Sequence, residues 1–120
     1  MPEAQRTFLA VFLGSPAAME KFRQRPEAER KEIERKGIAA WKAWAEKHQG
    51  AIASMGGPLG KTKQVTRSGT ADVRNAMGAF TLVRAESHEA AARMFEGHPH
   101  FTIFPGESVE IMEVLPIPMG

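Results

Sequence analysis

The sequence predicts an α+β fold: a ferredoxin-like βαββαβ sandwich, with an antiparallel sheet carrying both helices on one face. Three observations carry this. Apolar or alternating segments and helical ones follow in the order strand, helix, strand, strand, helix, strand. A chain of 120 residues buries roughly two thirds of the surface its unfolded form exposes, enough for one core. The first strand is apolar at both parities, with Phe8, Ala10 and Phe12 on one face and Leu9, Val11 and Leu13 on the other.

Residues 7–13, TFLAVFL, form a continuous apolar run rich in aromatic and branched side chains, which reads as a strand buried on both faces. Ser15 follows as a helix N-cap with Pro16 at the first helical position. Pro26 interrupts and restarts the helix, which then runs from Glu27 to about His48. Glu27 with Lys31 and Glu32 with Lys36 are favourable i,i+4 pairs. Ile33, Ala40, Trp41, Trp44, Ala45 and His48 fall along one stripe. Gly37 inside this helix costs about 1 kcal/mol and marks a bend.

Gly50 ends the helix, and residues 51–55 read as a short strand before the turn GGPLG. Residues 61–69, KTKQVTRSG, alternate and read as an edge segment, counted with residues 51–55 as one interrupted strand. Residues 70–78 read as a loop, and residues 79–85, AFTLVRA, as a second strongly apolar strand. Ser87 caps a helix running through Glu96, with Glu89 in its first turn and Gly97 as its stop. The loop GHPHFTIFPG leads to the last strand, residues 108–115. Two helices shelter one face of a four-stranded sheet, so the second apolar face needs another cover. A second copy is the simplest, which predicts a homodimer.

The chain reads as one domain, residues 1–120, with no internal repeat or linker. It has no cysteine, which fits a reducing compartment and excludes thiol catalysis and thiolate metal sites. No apolar run approaches a membrane span, and the N-terminal stretch lacks a basic region and a cleavage site, so the expectation is a cytoplasmic protein without membrane contact. The net charge is +2, from 16 basic and 14 acidic residues. In KFRQRPEAERKEIERKG the signs interleave, which describes a solvated helix face and argues against nucleic-acid binding.

The stretches FLAVFLGSP, AWKAWAEKHQGAIASMGGPLGKTKQV, GAFTLVRAESHEAAARMFEGHPHF and GESVEIMEVLPIP resemble the YCII-related, or DGPF-domain, proteins. The resemblance runs from Thr7 to Pro118, and GGPLGKTK with the closing PHF…PG.S.EIMEVLP are its most specific pieces. It implies a ferredoxin-like fold paired into a dimeric α/β barrel. For some members of this mostly uncharacterised family, enzymatic activity is inferred from a His and an Asp that meet in a cleft. Relatives of the fold include cofactor-independent oxygenases and lyase-like proteins. This chain departs from that pattern. The family's first-helix histidine falls near Trp41, Gly56 replaces the aspartate of the DGP turn, and Leu59 stands where the family has Phe. The dyad is therefore not matched here.

Other residues must carry any acid/base chemistry. A free imidazole changes charge near neutral pH, so His98 or His100 could move protons or bind a metal, and an extended backbone through Pro99 places both side chains on one side. The bland alternative is that they cap a helix end and bond loop backbone. A metal would want a third ligand such as Asp72, Glu46 or His48, but no HxxxH or HExxH spacing supports one, and none is expected. Lys61 follows a glycine-rich turn suited to an anion. Gly60, Lys61 and Thr62 match only the end of a Walker loop, since Met55 stands where its first glycine belongs. Arg74, with Asn75 and Asp72, lies in the loop before the second apolar strand and closes over a pocket or faces solvent. Trp44 is a candidate cleft wall for a flat organic ligand, alongside Trp41, with core packing as the alternative.

The leading expectation is a dimeric small-molecule-binding protein, with His98 and His100 as candidate general acid/base groups. Lys61 and Arg74 would hold an anionic group and Trp44 would line the wall. The chemistry would be lyase-like or oxygenase-like, and no cofactor is called for. The alternative is a non-catalytic dimer that sequesters a ligand or binds a protein partner. Pocket geometry separates them: the enzyme reading gains if His98 and His100 point into a concave site with a carboxylate within hydrogen-bond reach, and it fails if their ring nitrogens are spent on backbone carbonyls.

Overall fold

The computed structural model describes residues 5–118; residues 1–4 and 119–120 of the expected domain lie outside the described residues. The elements are β1 (Arg6–Leu13), α1 (Pro16–Arg23), α2 (Glu27–Lys47), β2 (Ile52–Pro58), β3 (Thr62–Thr66), β4 (Gly69–Val73), β5 (Met77–Ala85), α3 (His88–Arg93), α4 (Pro99–Thr102) and β6 (Ser108–Glu113). The main sheet has the order β2-β5-β1-β6, and every neighbouring pair is antiparallel. With β2 and β5 as the second and third core strands, this is the ferredoxin-like arrangement expected from the segment order.

Local chemistry sets the helix ends. The Ala18 N–H donates to Ser15 Oγ at 2.9 Å and the Ala90 N–H to Ser87 Oγ at 3.1 Å, so both predicted N-caps are in place. Pro26 separates α1 from α2. The charged run is a solvated face, with Lys31 on Glu27 at 3.1 Å and Arg35 on Glu32 at 2.6 Å. Such exposed pairs add little stability.

The core is the face of β1 that carries Phe8, Ala10 and Phe12. It meets Val83 of β5, Trp44 of α2, and Ala91 and Phe95. The other face carries Leu9 opposite Leu82 and Met112, and Val11 opposite Phe80. The described chain measures 53 × 45 × 18 Å, a slab thick enough for one sheet and one helix layer. The sheet therefore has a second face rich in apolar side chains, and among the described residues no helix lies over it.

Three expectations are corrected. Residues 62–66 do not continue a main-sheet strand. They pair with residues 69–73, of which the sequence places 70–73 in a loop, in a separate two-stranded hairpin. Gly69 at φ 120° permits the reversal, and the Ser68 N–H donates to Thr66 Oγ1 at 3.2 Å. The hairpin prolongs the β2–β5 ribbon beyond the sheet. The radius of gyration is accordingly 16.6 Å, against about 14 Å for a compact chain of this length.

The helix from Ser87 is also shorter than expected. α3 ends at Arg93, and Met94, Phe95 and Glu96 bond to carbonyls three residues back. This tighter turn swings Phe95 into the core, and Gly97 at φ 70° ends it as expected. Finally, the loop after Gly97 contains the one-turn helix α4, with His98 as its N-cap and Pro99 first inside. The extended path assumed through Pro99 does not occur.

Candidate functional site

A cleft of about 1520 Å³ lies at the end of the sheet where β1 stops and the β3–β4 hairpin departs. α1, α2, the hairpin ribbon and the α4 loop all border it. Phe12, Trp41 and Phe104 form its aromatic wall, and His100, Lys61 and Arg74 line it. Three of the five predicted site residues are thus brought together from segments far apart in sequence.

His100 is held by backbone. Its Nε2 lies 2.7 Å from the Leu13 carbonyl oxygen, which only accepts, so Nε2 carries the proton and donates it. Nδ1 is then the basic nitrogen of the ring, and it has no protein partner among the described residues. One ring nitrogen of His100 is thus spent on a backbone carbonyl, the outcome that counts against catalysis, and only Nδ1 is left over. Gly106 makes room for the ring, because a Cβ there would overlap the imidazole. We expect Gly106→Ala to push His100 off Leu13 and cost about 1–3 kcal/mol, as overpacking does. Denaturant unfolding of the pair checks it; equal midpoints would contradict this seat.

Of the cleft's four cations, two are already engaged. Lys63 bonds Asp72 at 2.7 Å across the hairpin, and Arg23 bonds Glu20 at 2.9 Å. Lys61 and Arg74 have no ion pair among the described residues, and Glu34 is the cleft's unpaired carboxylate. Asn75 shapes the ribbon at this point. Its Oδ1 accepts from the Met77 N–H at 2.9 Å, and its Nδ2 donates to Thr62 Oγ1 at 3.3 Å.

Two placements are corrected. Trp44 does not line the cleft. It packs into the core, its Nε1–H donating to the Met94 carbonyl at 2.7 Å, and Trp41, one turn earlier, forms the wall. His98 does not line it either. Its ring is fully buried among Trp41, Trp44, Phe12 and Phe95, at centroid distances of 4.5, 4.8, 5.0 and 5.8 Å. Nδ1 accepts from the His100 N–H at 3.0 Å, so the proton sits on Nε2, which has no hydrogen-bond partner. Burial pushes this imidazole down to about 4, with the neighbouring His100 and His48 acting in the same direction. His98 is thus a neutral group that fixes the backbone of His100.

Asp72, weighed as a metal ligand, is engaged with Lys63, and among the described residues no group of three His, Asp or Glu side chains is placed to hold a metal. Phe12 and Phe104 were not singled out from the sequence. Phe104 lies against α2 only because Gly37 has no side chain, a contact that no local pattern announces.

The cleft lies at one end of the four-stranded antiparallel sheet, and one known structure shares the fold of the chain. The fold is ferredoxin-like. Over 88% of this chain and 90% of its own, 5-chloro-2-hydroxyhydroquinone dehydrochlorinase (TftG) from Burkholderia phenoliruptrix AC1100, solved with 2,5-dihydroxybenzoquinone, superimposes with a TM-score of 0.53 at 19% identity. At that identity the likeness shows the fold alone. Ribosomal protein S6 of the 30S subunit from Thermotoga maritima aligns over 92% of this chain and 89% of its own, at 14% identity and a TM-score of 0.39, which carries no argument. No protein-family model and no curated protein matches the chain. Among the described residues, no helix is long and apolar enough to cross a membrane.

Proposed function

We propose that this chain is a YCII-related, single-domain cytoplasmic homodimer that binds a small organic anion in the cleft and acts on it by cofactor-free acid/base chemistry. The carrying observation is that the His100 imidazole, held by the Leu13 carbonyl, lines the same cleft as Lys61 and Arg74, two cations without an ion pair among the described residues. Lys61 and Arg74 hold the anion. Phe12, Trp41 and Phe104 supply a flat wall, and His100 Nδ1 takes a proton from the bound molecule. His98 serves as the positioning residue for His100. A lyase-like elimination or an oxygenase-like deprotonation both begin with that proton transfer. The fold shared with a dehydrochlorinase solved with a quinone ligand supports the former.

The second reading is a binding dimer without catalysis. It is favoured by the state of the two histidines: His100 Nε2 is spent on the Leu13 carbonyl and His98 Nδ1 on the His100 N–H, no carboxylate among the described residues bonds either ring, and Gly56 stands where the family's aspartate would be.

Calorimetric titration with a panel of aromatic and aliphatic carboxylates, followed by turnover assays on those that bind, separates the two. Lys61→Ala with Arg74→Ala is expected to weaken binding at least tenfold. His100→Gln is expected to keep binding and abolish turnover. Anion affinity unchanged in the double variant would sink the cleft assignment; turnover unchanged in His100→Gln would sink the catalytic one.

The homodimer buries the bare sheet face carrying Leu9, Leu82 and Met112. Light scattering at micromolar concentration is expected to return twice the chain mass of 13.2 kDa. A value of one chain mass would contradict it.

A further inference from the structure

A second hollow adjoins the cleft. It is a groove of about 400 Å³ between α2 and the edge strand β2, within the size range of small-molecule sites. β2 borders it with Gly56 and Gly57, and at Gly57 a Cβ would meet nothing within 4 Å, so that side of the groove is left open. Its walls are almost entirely carbon: Ile38, Trp41, Ala45, Met55 and Phe104 line it. The Thr81 hydroxyl, which also borders it, is spent on the Met55 carbonyl at 3.0 Å. Lys42 stands at its edge. Ile38 is 59% exposed and Met55 45% exposed, two large apolar side chains left at one mouth.

Phe12, Trp41, Pro58, Ala79 and Phe104 line both hollows. The cleft offers Lys61, Arg74 and the His100 Nδ1; the groove beyond this common wall offers mostly hydrocarbon, with the Thr81 hydroxyl engaged and Lys42 its one charged side chain. We infer that the two form one site for an amphipathic organic anion, with its charged head at Lys61 and Arg74 and its hydrocarbon portion in the groove. This rests on the anion reading of the cleft and narrows it. Small polar acids fill only half of such a site, whereas alkyl or alkyl-aryl carboxylates fill both.

Straight-chain alkanoates from butanoate to dodecanoate, titrated calorimetrically into the full chain below their micellar concentrations, test this. Burying a methylene is worth about 0.8 kcal/mol, which converts to roughly a fourfold gain in affinity per carbon. That slope is expected over several carbons, with a plateau once the groove is full. Ile38→Glu and Met55→Lys, each at an exposed mouth position, are expected to flatten the series and leave butanoate affinity unchanged. Butanoate binding as tightly as dodecanoate would overturn the inference and leave the anion cleft standing. A slope that survives in both variants would place the tail elsewhere and also overturn it. If no alkanoate binds and Ile38→Glu instead dissociates the dimer, the groove belongs to a second copy and the inference falls.

Discussion

Lowering the pH from 7 to about 4 is expected to remove about 3 kcal/mol of stability through His98 alone. Its folded pKa of about 4 lies below the ordinary 6.5. Between these values the unfolded chain binds a proton that the folded chain refuses. Stability is therefore complete above pH 6.5 and falls as the pH drops toward 4. The size follows from about 1.4 kcal/mol per pKa unit. His48, also lowered by burial and by Lys47, acts in the same direction. Since small domains hold only about 5–15 kcal/mol in total, the loss is a large share of the whole.

His98→Leu isolates the cause. It removes the titrating group, so the stability curve should flatten between pH 6.5 and 4. At pH 7 it should be less stable by about 1 kcal/mol, because the His100 N–H loses its capping acceptor. Urea unfolding of both proteins at half-unit pH steps measures this. Parallel curves for wild type and variant would show that another group carries the acid sensitivity.

Phe12→Ala is expected to cost about 3–5 kcal/mol and lower Tm by roughly 10–20 °C. Phe12 is 1% exposed and packs against the rings of Trp41, Phe95, His98 and His100 at 5.0–6.0 Å. Removing it opens a void shared by the core and the cleft wall. Val65→Ala is the control, at a hairpin position 75% exposed, where less than about 0.5 kcal/mol is expected. Calorimetric scans of the two variants give the comparison. Similar Tm values would mean that Phe12 is not the keystone of the aromatic cluster.

These two effects show how differently parts of the protein are written in its sequence. Ser15 and Ser87 cap helices because a hydroxyl satisfies free N–H groups wherever the next residues turn helical, a rule that needs only neighbours. The alternation of Phe8, Ala10 and Phe12 with Leu9, Val11 and Leu13 likewise gives two apolar faces from the pleat alone. The number of covering helices then follows by counting. The hairpin was less legible. Residues 69–73 hold Gly, Thr, Ala and Asp and bury almost nothing, so they carry no strand periodicity. Their pairing comes from the turn at Gly69.

The sequence by itself determined the main-sheet strands and the long helix between the first two of them, the helix caps and the two-sided apolar strand. Each depends on residues within a few positions, where backbone geometry and side-chain type suffice. Only the tertiary structure decided that Trp41 faces the cleft while Trp44 enters the core, since both lie on the same helical stripe. It alone sealed His98 in a ring of aromatics and left His100 on the Leu13 carbonyl. It alone seated Phe104 against Gly37, 67 positions away. Those outcomes depend on how the sheet and α2 come together, and close packing lets a single volume be filled by only one of the side chains that compete for it.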